Sequence, residues 1–228
     1  MFRNTLWVKR VLCQLVFGSV FLFPLQTHAS AIYALGVGLT VDANTSDTVA
    51  AATTYYNLSG NTNPANLPAS LGISINTDQG GTLLLAGANG KTWQAPADNA
   101  QNLNLFYRVF ETGTAAASRP AFTSYNLLYQ NQWTTNGDIN KYWASTSSPG
   151  TVNLLTGLSP GAIATPKNYT IEFYGSSFMT YSGGSFTAFD NNAGNNYTTS
   201  FQLVPEPSTA GLLAFSIVGA FALRRRRA

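Results

Sequence analysis

The chain has 228 residues and a formal charge of +3, from twelve Lys and Arg against nine Asp and Glu, with a single Cys and a single His. Cys13 and His28 both fall within the first 31 residues, so the remainder excludes disulfides, zinc ribbons, haem ligation, Cys nucleophiles and His-dependent triads. Seven of the basic residues sit at the two ends, leaving five bases against eight acids over 32–203, and a body of that charge gives no footprint for a nucleic-acid partner.

At the N-terminus, Arg3, Lys9 and Arg10 form a basic n-region, and Val11 to Leu25 an apolar core. Ala29-Ser30-Ala31 follows as a small-x-small cleavage site. This order predicts a secretory signal peptide over 1–31, cut after Ala29 or Ala31, with Ala31 favoured.

Residues 32–203 are long enough for one self-supporting domain. Short runs rich in Val, Ile, Thr, Tyr and Phe alternate with Gly, Asn, Pro and Ser clusters, which predicts an all-β fold. Strands are expected at 32–41, 49–56, 71–76, 82–86, 103–110, 124–129, 152–155, 169–174, 185–189 and 197–203. Within them Leu103, Leu105, Tyr107 and Val109 share one face, and Tyr169, Ile171 and Phe173 point inward with Glu172 outward. Loops are expected at 60–69 and 112–120, and tight turns at Gly183-Gly184 and Asn191 to Asn196. About ten strands with frequent turns predict a single antiparallel β-sandwich of two sheets, jelly-roll or immunoglobulin-like. Leu158-Ser159-Pro160-Gly161 ahead of the strand at Tyr169 locally resembles fibronectin- or immunoglobulin-like modules.

Among the eight acids, Glu111 and Glu172 lie on or near strands and are the best pair for carboxylate chemistry on a glycoside. Asp42 to Asp47 and Asp190 to Asn195 place oxygen ligands at alternate positions, as a calcium loop does. Thr53 and Phe201 stand where an EF-hand needs its Glu, so that pattern fails. No metal site, cofactor or catalytic residue is assigned. Trp93, Trp133 and Trp143, with several tyrosines, offer faces for sugar stacking or for core filling. Trp133 and Trp143 are the candidate sugar surface, and Lys141-Tyr142-Trp143 beside Asp138 combines aromatic and polar groups.

The chain ends in VPEPSTAGLLAFSIVGAFALRRRRA. Ser208 to Leu223 carries no charge and is apolar on every face, unlike an amphipathic helix. As a helix of sixteen residues it spans about 24 Å, close to the thickness of a bilayer core, so a transmembrane helix is expected over 208–223. Pro205 and Pro207 stop it from running back into the body. Arg224, Arg225, Arg226 and Arg227 hold its far end on the cytoplasmic side.

Val204-Pro205-Glu206-Pro207-Ser208, the apolar run and the four arginines together resemble the PEP-CTERM sorting signal of exported Gram-negative proteins. That resemblance implies recognition and cutting near Pro-Glu-Pro by the membrane protease exosortase, and a link to extracellular polysaccharide and biofilm. The expectation is an exported, non-enzymatic protein, tethered at the inner membrane in transit and then at the cell surface or released. Its role would be structural or adhesive, with exopolysaccharide or another surface protein as partner. A carbohydrate-binding module and a carboxylate-dependent glycosidase or lyase stand as alternatives.

Overall fold

The structure, a computed structural model, describes residues 30–43, 51–60, 64–145, 150–158 and 165–204, apart from the side chain of Asp78. The signal segment up to Ala29, most of the Asp42 to Asp47 loop, the Ser159-Pro160-Gly161 turn and the tail from Pro205 onward lie outside the described residues. So do the predicted transmembrane helix over 208–223 and the arginines beyond it. Among the described residues no helix is long and apolar enough to cross a membrane.

Among the described residues twelve strands follow in chain order: β1 (Ala31–Asp42), β2 (Ala52–Ser59), β3 (Ser70–Asn76), β4 (Thr82–Gln94), β5 (Asn99–Ala100) and β6 (Leu103–Glu111). Then come β7 (Thr123–Thr135), β8 (Asp138–Ser145), β9 (Val152–Asn153), β10 (Lys167–Tyr181), β11 (Gly184–Asp190) and β12 (Tyr197–Val204). The all-β expectation holds, with 68% of the structure in strands.

The expected two separate antiparallel sheets need correcting. The strands form one continuous sheet in the order β2-β1-β4-β8-β7-β6-β10-β12-β3, with β5 and β11 also paired to β10 and β9 to β4. The sheet is mixed, because β3 runs parallel to β12. Its continuity comes from β7. The first part of that strand pairs with β6, from Leu127↔Leu103 to Thr123↔Tyr107. Its second part pairs with β8, from Leu128↔Ala144 to Thr135↔Asp138. The ladder slips between Tyr129 and Asn131, and a bulge of this kind bends a strand enough to turn a corner between two layers. The sheet therefore curls so that its two halves face each other.

The core lies between those halves. Leu35, Val37, Leu39, Leu83 and Leu85 come from one side, and Leu103, Leu105, Ile171, Phe173, Met179, Phe201 and Leu203 from the other. The halves meet closely at two glycines. A Cβ built on Gly90 would come within 2.5 Å of Leu103 Cδ2, and one on Gly175 within 3.0 Å of Leu35 Cδ2. Glycine at these points lets a leucine from the opposite layer seat against the backbone.

Glu172 faces outward, as expected, but is not solvated: it is only 4% exposed. Arg108 reaches it with Nε at 2.7 Å and Nη2 at 2.5 Å, and Arg119 with Nη1 at 2.6 Å. The two guanidiniums in turn lie over aromatic rings, Arg108 4.2 Å from the centre of Phe122 and Arg119 4.6 Å from that of Phe110. Covered in this way, the carboxylate is paired and hydrogen-bonded, which is the condition for burying a charge.

Candidate functional site

The outer face of the sheet carries a groove of about 380 Å³ that runs across β1, β4, β8 and the end of β7. Its floor is one cross-strand row. Ala31 on β1 pairs with Trp93 on β4, Trp93 with Asn140 on β8, and Asn140 with Trp133 on β7. Residues directly opposite one another in antiparallel strands share a face, so two indoles flank one carboxamide. Trp93 and Trp133 sit two strand spacings apart, about 9.6 Å. Asn140 is only 7% exposed although it belongs to the outer face, while Trp133 keeps 38% of its surface open.

One wall is Tyr33, at the point where the β1–β4 register shifts between Ile32 and Ala34. An extra residue in a strand re-aims its side chain, and Tyr33 lines the groove. Burial pushes its hydroxyl pKa upward, so the phenol stays a neutral donor. The far end is the β7–β8 turn. Asn136 and Gly137 both take positive φ there, 53° and 91°, the conformation that two-residue hairpins favour. That turn brings Asn136 and Asp138 to the groove mouth. The ammonium of Lys91 stands 6.0 Å from the centre of the Trp133 ring.

The two predicted sugar-stacking tryptophans are thus separated. Trp133 is in the groove. Trp143 is 4% exposed in the core, where its indole N–H donates to Thr92 Oγ1 at 3.0 Å. Lys141 and Trp143 share the inner face, with the ammonium 6.0 Å from the centre of the indole ring, while Tyr142 between them points to the other face, so the three do not act as one cluster. Lys141 donates to Ala100 O at 2.9 Å and to Asn99 Oδ1, and burial lowers its pKa. Trp93 and Asn140, which stood outside the candidate pair, complete the row with Trp133. The Asn136-Gly137 dipeptide was the signal that could have aligned them, because it fixes the β7–β8 register.

The carboxylate pair is also split. In the β6–β10 ladder Glu111 lies opposite Tyr169, and Arg108 opposite Glu172. Three positions separate the two places along the strand, so the acids point to opposite faces. Glu111 is held by Lys167 Nζ at 2.8 Å.

Asp190, in the second candidate calcium loop, spends its oxygens on protein partners. It accepts from Ser59 Oγ and, at 2.5 Å, from the Tyr197 hydroxyl. Asn191 Oδ1 accepts from the Gly194 amide at 3.0 Å and caps a short 3-10 turn at Asn192–Gly194. Among the described residues no three His, Cys, Asp or Glu side chains converge.

At the other end of the molecule, β12 runs to Val204, paired through Leu203↔Ile75 and Val204↔Asn76 with β3. The fold therefore delivers the tail directly from a strand that is part of the core. The molecule is an all-β domain with a C-terminal sorting tail, and the tail can be identified further. Residues 203–227 match the family model of the PEP-CTERM protein-sorting motif. That motif implies an exported protein of a Gram-negative bacterium, processed by exosortase. No curated protein matches the chain.

Proposed function

We propose that the chain is an exported cell-surface or extracellular-matrix protein, structural or adhesive in role and without catalytic activity. The observation that supports this most is the sorting motif over 203–227, joined without a spacer to the folded strand β12. A signal peptide starts export, and the tail holds the domain at the inner membrane until exosortase cuts near Pro205-Glu206-Pro207. The domain then passes to the surface. The non-enzymatic part of the reading draws on Glu111 and Glu172, which are committed to ion pairs on opposite faces. Neither is placed to serve the other as acid and base across a substrate.

The test is genetic and biochemical together. Cells lacking the chain are expected to form a less cohesive matrix, restored by the full chain but not by one ending at Val204. The processed protein is expected to release no reducing ends from polysaccharide. An unaltered matrix would overturn the structural role, and bond cleavage would overturn the non-enzymatic one.

A further inference from the structure

We propose that the groove between Tyr33, Trp93 and Trp133 is a binding site for an electrically neutral glycan strand. The proposal deepens the matrix role given above and rests on it for the setting in which a glycan is met.

The argument is one of chemistry at each wall. A pyranose ring presents a face of C–H bonds and an edge of hydroxyls. The faces need flat, electron-rich surfaces, and aromatic rings supply them through their negative quadrupole. The edges need donors and acceptors held in place. Here Trp93 and Trp133 stand in one cross-strand row with Asn140 between them. Two sugar rings of one strand can each take an indole, while the carboxamide meets the hydroxyls between. Asn offers both a donor and an acceptor, and carboxylate Asp138 is acceptor-only. This mixture suits hydroxyls, which are donors and acceptors at once.

The groove is open on the sheet surface and lies across strands, which fits an extended chain. Charge selects the class of glycan. Asp138 lines the mouth, and the body of the domain carries more acids than bases. Uronate or sulfated strands would place like charge beside Asp138, which lines the groove, whereas Lys91, 6.0 Å from the centre of the Trp133 ring, stands outside the lining; a neutral strand loses nothing beside Asp138.

The test uses the full chain, purified in detergent, and its exosortase-processed form. The probes are neutral hexasaccharides (cellohexaose, xylohexaose and mannohexaose) and acidic hexagalacturonate, followed by calorimetry and tryptophan fluorescence. At least one neutral hexasaccharide is expected to bind and shift the indole emission. Trp133→Ala is expected to weaken that binding by about ten-fold, as the loss of one stacking ring does. Trp93→Ala and Asn140→Ala should weaken it too, and Phe189→Ala, on an exposed ring outside the groove, should leave it unchanged. Trp133 is partly exposed, so circular dichroism of its variant should match the wild type even where Trp93→Ala proves unstable.

Failure of all three neutral probes, or equal affinity in Trp133→Ala, would overturn the site. Preference for hexagalacturonate would overturn the neutral assignment. Surface delivery of the same variants is followed in parallel by immunoblot. Normal delivery without binding rejects the groove alone, and failed delivery of the wild type rejects the export reading.

Discussion

At the residue scale, buried polar groups are the most informative positions. Tyr197 donates to Asp190, and burial, with the neighbouring carboxylate next in effect, pushes its pKa up to about 12. An unfolded tyrosine titrates at about 10. The folded state therefore holds the proton more tightly, and its contribution is complete below about pH 10 and lost as pH rises towards about 12. Tyr33, Tyr107 and Tyr174 are shifted in the same direction, burial being the largest cause in each. Stability measured by denaturant titration should fall across that alkaline window, and less steeply in Tyr197→Phe. An identical pH profile in the variant would contradict the assignment.

Glu172 gives a second residue-scale prediction. Glu172→Gln keeps the shape but leaves two guanidiniums facing a neutral amide, and should cost about 3 kcal/mol of unfolding free energy. A loss below about 1 kcal/mol would show that the pair is offset by its own desolvation. The sequence placed Glu172 on the outer face correctly. It did not show the burial, because Arg108 reaches Glu172 from the neighbouring strand and Arg119 from the loop before β7.

At the element scale, alternation of apolar and polar residues made most strands legible, since one face of each is buried and the period of two is exact in β structure. The runs at 103–110, 169–174 and 197–203 became β6, part of β10 and β12. β8 was not anticipated, although Asn136-Gly137 between β7 and β8 is a strong hairpin signal. Without that hairpin, Trp133 and Trp143 could not be assigned to opposite faces. The curl of the sheet was not legible either, because a single strand such as β7 serving both halves leaves no mark in local pattern.

Two predictions belong to this scale. Gly90→Ala should cost about 1–3 kcal/mol by overpacking against Leu103, and thermal unfolding within error of wild type would contradict the interlock of the two halves. The second concerns where the domain starts. β1 begins at Ala31, and Ser30 Oγ donates to Asp98 Oδ2 at 2.6 Å. The small-x-small pattern favours cleavage after Ala31, but cleavage after Ala29 keeps both interactions, so N-terminal sequencing should find Ser30 first; a start at Ile32 would show that the fold dispenses with them.

At the scale of the whole molecule, the order of parts carries the account: a curled β-domain over the described residues and, after its last strand, the sorting motif. The sorting motif was legible in the sequence because such a segment is read as a linear pattern of charge and apolarity. The groove was legible only as residue types, because its row joins the β7–β8 hairpin to β1 and β4, which lie far from it in the chain. The central claim is that the tail is an exosortase sorting signal, and intact-mass measurement tests it most directly. Protein recovered from the cell surface and medium of an exosortase-bearing host should lack the segment from the apolar run through Arg227, and that shortened form should vanish in cells without exosortase. Surface protein that retains Arg224 to Arg227 in the presence of exosortase, or the same shortened mass in its absence, would contradict the account.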